Sequence, residues 1–420
     1  MAYSTPEEIA AFTHRLVEGV ADDLRENGVT PTSRPMLVLD MDGNIAIGHN
    51  VVEGAELPLS SQEDPQRHGI PVSESMAELI ENGQVEQAIF SRKPMDTRLP
   101  QNLVDKLNQL IAKNRQFDVT LLTSRSTDDA LEILALSGVE YPEKVTLVGD
   151  SGAVLRVDGE ARAIRPLNTE EKEFLAGLGQ DKLLEKLESG VDKIFSENGI
   201  SAENRPRLFV ESKGIAINIH FADILGFASE REGSALDTAL GEFIREELEK
   251  HIVSYKKSDV FGTLEGPATI EVKVMAVDKG KGLEAVVNTA LENGYRPSSV
   301  IFAGDDICKI SSSGHVSHGT DYAAFKAAPD LQKKTEIPFF TLHTQHPESG
   351  ELEDKNPIPA QSKTATHAKI TPDVIFPTPR ETASFITNVI EKSLEKEKEA
   401  EKLARLRINS FAAVQKGQQR

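Results

Sequence analysis

Three times along the chain a short apolar run stops on a polar cluster. Met36 to Leu39 follows Pro35 and ends at Asp40, Val119 to Leu122 ends at Thr123-Ser124-Arg125, and Val300 to Ala303 ends at Gly304-Asp305-Asp306. Short, predominantly apolar runs of this kind are the pattern of a strand buried on both faces, as in a parallel sheet, whose carboxyl end is where such folds carry chemistry. Each run is followed by a polar loop and then by helical periodicity. The pattern predicts an α/β fold with one doubly wound, Rossmann-like parallel sheet.

The rest of the chain is organised around those runs. Apolar positions at helical spacing from Pro6 to Asn27, with Ser4 or Thr5 as cap and Gly28 as stop, make residues 1–30 an N-terminal helix. Residues from about 50 to 96, rich in Pro, Gly and charge, read as an insertion. From 158 to 267 hairpin-like runs, Arg207 to Val210 and Gly214 to Phe221, mix with charged helices such as Glu242 to His251, which predicts an α+β cap domain. The core then takes residues 31–157 and 268–390, with a second insert at about 308–319. Residues 391–420 hold a charged helix, Glu391 to Arg407, whose Glu/Lys pairs support it without a partner.

Charge and composition narrow the partners. A formal net charge of -20 over 420 residues argues against a nucleic-acid binder, so an anionic substrate must meet local positive charge. One Cys and no Trp exclude a disulfide framework and a multi-cysteine zinc site, leaving Cys308 as a reduced bystander and a cytoplasmic location as the expectation. The start, Met1-Ala2-Tyr3-Ser4, has no basic, apolar leader, and no run is long enough to span a bilayer, so no membrane partner is expected.

The three strand ends supply what phosphate-ester hydrolysis needs: a nucleophile, positive charge on the phosphoryl oxygens and a proton for the leaving group. Asp40 can attack phosphorus to give an aspartyl-phosphate. Asp42, two residues on past a turn that Gly43 permits, can protonate the departing oxygen and then deprotonate water, help worth about 100- to 10,000-fold. Magnesium suits an all-oxygen set of Asp40, the carbonyl of Asp42, and Asp305, with Asp306 behind it. Lys279 offers a point charge to phosphate and to Asp40, and Thr123 offers its hydroxyl and backbone N–H. A calcium loop fits poorly, since Gly43 stands fourth rather than sixth and a strand precedes it. His315-x-x-His318 and His343-x-x-His346 read as solvated loop histidines rather than a zinc site.

In this order, Asp40-Met41-Asp42-Gly43, Thr123, Lys279-Gly280 and Gly304-Asp305-Asp306 resemble the four motifs of the haloacid-dehalogenase superfamily of phosphohydrolases. Within it the chain looks most like the trehalose-6-phosphate phosphatases. Thr320-Asp321-Tyr322-Ala323-Ala324-Phe325 is similar to the Thr-Asp-x-x-Ala-Phe ending of that family's fourth motif, and Thr123-Ser124-Arg125 resembles its Ser-Gly-Arg. Val210-Glu211-Ser212-Lys213 with Asn218 and His220 resembles the cap strand pair, and Glu271-Val272-Lys273 the Glu-x-Arg/Lys before the motif lysine. The resemblance implies a cap closing over a disaccharide phosphate, with Glu211, Lys213, His220 and Glu271 on the sugar and Arg125 near the phosphate.

Asn44 stands where the family usually has Thr, Ser124 replaces a Gly, and Gly149-Asp150-Ser151-Gly152 lacks the usual His, departures that bear on substrate rather than nucleophile. The expected reaction is hydrolysis of trehalose 6-phosphate. A phosphatase of sucrose phosphate or another sugar phosphate, a phosphosugar mutase, and a non-catalytic homologue are the alternatives.

Overall fold

The computed structural model describes residues 4–14, 16, 34–42, 44–48, 97–178, 182–199, 208–212, 216–220, 235–266, 269–310, 316–344 and 368–418. In the first half of the chain the strands are β1 (Met36–Leu39), β2 (Ile47–Gly48), β3 (Thr97–Arg98), β4 (Val119–Leu122), β5 (Thr146–Gly149), β6 (Val154–Val157) and β7 (Glu160–Ala163). A second group, β8 (Phe209–Ser212), β9 (Ala216–His220), β10 (Phe261–Gly266) and β11 (Thr269–Val274), forms the cap. The chain then returns through β12 (Val300–Gly304), β13 (Cys308–Ile310), β14 (Val316–His318), β15 (Phe339–Thr344) and β16 (Val374–Phe376).

The main sheet has the order β16-β15-β12-β1-β4-β5-β6-β7, so the three apolar runs are neighbours at its centre. Pairing is parallel from β16 to β5, and β6 and β7 add an antiparallel edge. Alternation along β1 shows why a continuous apolar run is needed. Leu37 and Leu39 pack on one face with Leu103, Val104, Ile386 and Val389, whereas Met36 and Val38 pack on the other with Leu283, Val286, Ala324 and Phe325. Helices therefore cover both faces, and the doubly wound reading holds.

Sheet bonding moves the cap limits. β7 hydrogen-bonds to the main sheet and β11 to the four-stranded cap sheet, so the division at 158–267 shifts inward at its start and outward at its end. Hairpin pairing decides both cases, because each strand stays with its antiparallel partner. The cap sheet buries Ile217, Ile219, Ile270 and Val272 against Leu187, Val191, Ile244 and Leu248 of its own helices.

Residues 6–14 are helical and set Phe12 edge-on to Phe340 at 5.2 Å, while the expected continuation to Asn27 lies outside the described residues. The insertion at about 50–96 also lies outside them. Its flanks, β2 and β3, pair antiparallel, so that segment leaves and rejoins the core at one place.

The charged helix is longer and better anchored than its sequence implies. One helix runs Pro379–Gln418, and Glu397 accepts from Lys113 Nζ at 2.6 Å and pairs with the buried Arg115. Burial pushes the Glu397 carboxyl up, but Lys113 and Arg115 outweigh it and hold it below the ordinary glutamate value. Glu397→Ala should lower unfolding free energy by about 3 kcal/mol at neutral pH, read by urea denaturation, because it takes a carboxylate from the buried Arg115 and leaves it the longer pair with Asp118 at 3.6 Å. For a depressed carboxylate the contribution is present above the unfolded pKa and fades as pH falls through the folded one. The difference between wild type and variant should therefore shrink in acid.

Candidate active site

Asp40 follows the last residue of β1 and its own N–H still bonds to Ala303 O at 2.8 Å. The chain then turns back sharply, with Ile45 and Ala46 both donating to Met41 O at 3.2 and 2.8 Å. Gly43 itself lies outside the described residues. Lys279 is the first residue of the helix Lys279–Glu292, whose N-cap Asp278 accepts from Lys281 N–H at 2.9 Å. The capped start aims Lys279 into the core, where its side chain is 1% exposed.

There Lys279 Nζ donates to Asp40 Oδ1 at 2.7 Å and to Asp321 Oδ1 at 2.6 Å. Asp321 is fully buried, and its other oxygen accepts from Asp305 N–H and Asp306 N–H, each at 3.0 Å. Gly304 makes this approach possible, since a Cβ there would lie 2.6 Å from Asp321 Oδ2. Asp40, Asp305 and Asp321 each offer a carboxylate oxygen within 4.8 Å of the others.

Charge crowding is the main electrostatic fact of the site. Burial, then Asp321, holds Asp40 well above the ordinary carboxylate range despite Lys279. Burial and the neighbouring Asp321 and Asp306 do the same to Asp305. Burial pushes the Lys279 ammonium down, but Asp321 and Asp40 outweigh it, so its pKa is raised and it stays charged. Three carboxylates around one ammonium leave an excess of negative charge, and an all-oxygen donor set of this kind fits a hard divalent cation.

Asp321 was expected only as part of a motif ending, and Asp306 as the residue behind the metal. The structure brings Asp321 into the cluster with Asp40 and Asp305. Asp306 Oδ2 accepts from Thr320 N–H at 2.9 Å and its carbonyl from Asp321 N–H at 2.9 Å, so it clasps the loop. Within the insert between them, expected at about 308–319, β13 and β14 pair antiparallel, and its two ends meet where Gly319 N–H donates to Ile307 O. A hairpin can lengthen a loop without separating its ends, so Asp305, Asp306 and Asp321 remain together.

Asp42 turns its carboxylate to Arg125, accepting from Nε at 2.7 Å and from Nη2 at 2.8 Å. Arg125 is thus placed on the proposed acid. Thr123 is also corrected in part. Its N–H donates to Val148 O at 2.8 Å because parallel pairing with β5 continues one residue past β4, so that N–H is not the expected phosphate donor. Its hydroxyl oxygen accepts from Arg125 N–H at 3.1 Å, which leaves the hydroxyl proton for another acceptor.

The cap register brings the expected sugar-side residues into one row, Glu211 opposite Asn218 and Asn218 opposite Glu271. His220 stands two residues along β9 from Asn218. Side-chain placement of Glu211 and His220, and Lys213 altogether, lie outside the described residues. Glu271 is buried and accepts from Ser151 Oγ at 3.3 Å, tying the row to a loop of the main sheet. Asp150 and Ser151 in that loop have φ of 52° and 54°, and Gly152 follows at 100°, packed so closely that a Cβ would meet Asp278 O. The loop carrying Ser151 is therefore pinned beside the residue that caps the Lys279 helix.

His343 was read as a solvated histidine, yet it is 1% exposed, with Nδ1 3.4 Å from Gly304 O. β15 continues through Thr344 beside β12, and a central strand buries both faces. His318 is exposed and stacks on Tyr322 at 3.6 Å, while His315 and His346 lie outside the described residues.

Fold and site define a mixed α/β chain with an α+β cap and a largely buried Asp/Asp/Asp/Lys cluster drawn from the carboxyl ends of two central strands and the starts of two helices. No family model matches the chain, and no curated protein matches it. Among solved structures it is similar to the C-terminal domain of a Candida albicans trehalose-6-phosphate phosphatase, at 15% identity, 93% of this chain, 98% of that one and a TM-score of 0.46. The Aspergillus fumigatus trehalose-6-phosphate phosphatase matches at 16% identity over 91% of this chain and 98% of that one, with a TM-score of 0.40. The C-terminal domain of a Candida albicans trehalose synthase regulatory protein matches at 12% identity over 68% and 84%, with a TM-score of 0.38. Among the described residues, no helix is long and apolar enough to cross a membrane.

Proposed function

We propose that the chain is a magnesium-dependent phosphatase of sugar phosphates, with trehalose 6-phosphate as its substrate. The observation that carries this reading is the placement of Lys279 Nζ between Asp40 and Asp321, with Asp305 completing the oxygen cluster. A lone buried carboxylate at a strand end has many uses. One held by a lysine among further carboxylates is arranged for a phosphoryl group.

Asp40 attacks phosphorus, and Lys279 neutralises charge that would otherwise repel the two anions. Asp40, Asp305 and the Asp42 carbonyl would hold magnesium, which would supply positive charge to the phosphoryl oxygens. Thr123 donates its hydroxyl proton to a phosphoryl oxygen. Asp42 serves as the acid only after releasing at least one oxygen from Arg125, since both now accept. A phosphoryl group offers Arg125 the same bidentate geometry and is the natural competitor for it.

The row Glu211, Asn218 and Glu271 supports a polyhydroxylated leaving group, which fixed donors and acceptors recognise better than apolar walls do. The residues of the cluster are all present, which favours catalysis over the non-catalytic reading. Phosphate release from trehalose 6-phosphate, sucrose phosphate and glucose 6-phosphate, each with magnesium and with EDTA, tests the proposal. Trehalose 6-phosphate should exceed the others in kcat/KM by about 10-fold or more, with release abolished by EDTA. Equal rates across the panel would remove the disaccharide assignment, and transfer of phosphate to a second sugar position would indicate a mutase.

A further inference from the structure

Asn44 has its side chain wholly inside the protein. Its Nδ2 donates to Asp40 O at 3.0 Å and to Ala303 O at 3.1 Å, and its Oδ1 accepts from Thr344 Oγ1 at 2.6 Å. Those partners belong to the ends of β1, β12 and β15, three adjacent strands. One amide therefore joins the residue proposed as nucleophile, the strand that delivers Asp305, and the next strand out.

The parallel ladder explains why such a joint is needed. Met36 N–H donates to Ser299 O and Asp40 N–H to Ala303 O, so in this register the next bond would run from Asp305 N–H to Asp40 O. That N–H goes to Asp321 Oδ2 at 3.0 Å. Gathering Asp321 into the cluster thus costs the sheet the rung that would set Asp40 against Asp305. Asn44 Nδ2 occupies that place on the Asp40 carbonyl and takes the second lone pair of Ala303 O.

The direction of the polar chain behind the amide is fixed by donor count. Asn44 Oδ1 can only accept, so the Thr344 hydroxyl proton points to it. The Thr382 hydroxyl, 2.7 Å from Thr344 Oγ1, must then donate to Thr344. Asn44, Thr344 and Thr382 are each 0% exposed, so no water stands ready to replace a lost bond.

We infer that Asn44 is a positioning residue that sets the spacing of Asp40 and Asp305 by replacing the missing ladder bond, with Thr344 holding its amide in orientation. A threonine hydroxyl in its place has a single proton and could serve only one of the two carbonyls. The departure at position 44 then acts on rate and metal affinity rather than on which sugar is bound. The inference rests on the phosphatase reading for its kinetic arm and on the carboxylate cluster alone for its metal arm.

The test compares Thr344→Val, Thr344→Ser and Asn44→Ala by phosphate release, by calorimetric titration with magnesium alone, and by thermal unfolding. Thr344→Val should lower kcat by about 10- to 100-fold and weaken magnesium binding by about 10-fold, leaving KM within about 2-fold. Thr344→Ser, which keeps the hydroxyl, should retain wild-type values in both assays. Asn44→Ala should show the same split more strongly, and Thr344→Val carries the test if that variant does not fold. Lowered unfolding temperatures with unchanged kcat and magnesium affinity would overturn the inference, as would a wild-type protein that binds no magnesium. A wild type without phosphatase activity whose magnesium binding still separates Val from Ser at position 344 would refute the phosphatase reading and keep this one.

Discussion

Asp40→Asn is expected to abolish magnesium-dependent phosphate release, with a loss on the order of 10,000-fold or more, while leaving the fold intact. The asparagine is isosteric and can still accept from Lys279, so packing around β1 is kept. What it lacks is a charged nucleophilic oxygen. The same change should leave unfolding free energy without metal equal to wild type or higher. Asp40 is held well above the ordinary carboxylate range by burial and by Asp321, so removing its charge relieves repulsion that folding now has to overcome. Phosphate release and urea denaturation on one preparation check both halves, and substantial surviving turnover would take Asp40 out of the nucleophile role.

Lys279→Met should also remove turnover, by about 1,000-fold, but with the opposite effect on stability. Lys279 is the shared partner of Asp40 and Asp321, and without it two buried carboxylates face each other with no cation. Unfolding free energy should fall by about 3 kcal/mol or more, the usual result of breaking a buried ion pair from one side. Lys279→Arg should not restore activity, because a planar guanidinium does not fit a pocket that buries a point-charge ammonium. Opposite signs of stability change at two touching residues are hard to reproduce by general damage. Matching losses of stability in Asp40→Asn and Lys279→Met would contradict the electrostatic account.

The central strands and their polar ends were legible because burial on both faces favours apolar runs, and β1, β12 and, apart from Thr120, β4 are those runs. Asp40, Lys279 and Asp305 were legible for the same reason: each stands at a strand or helix end that the pattern locates. Asp321 was harder. Its distance from Asp305 in sequence hides their contact, and only the pairing of β13 with β14 brings them together. His343 and Asn44 show a second limit. His343 reads as solvent-facing and Asn44 as a departure that bears on substrate, yet each meets carbonyl oxygens where parallel strands stop, and neither partner leaves a trace in spacing or composition. The Thr123 N–H was assigned to phosphate for a related reason, since sequence cannot tell that the ladder to β5 runs one residue further.

The Arg125 clamp on Asp42 is the feature that most changes the picture of the reaction. In the proposed reaction the acid and the phosphate would compete for one guanidinium, so that substrate binding would also free Asp42. Nothing in the spacing of Asp42 and Arg125, 83 positions apart, foretells that pairing.

The most direct test of the central claim is to quench the protein in acid during turnover of a phosphate monoester with magnesium and to weigh its proteolytic peptides. A phosphoryl group on the peptide carrying Asp40, absent with EDTA and absent in Asp40→Asn, is the predicted result. Steady phosphate release with the phosphoryl group on a different residue, or unchanged release by Asp40→Asn, would contradict it.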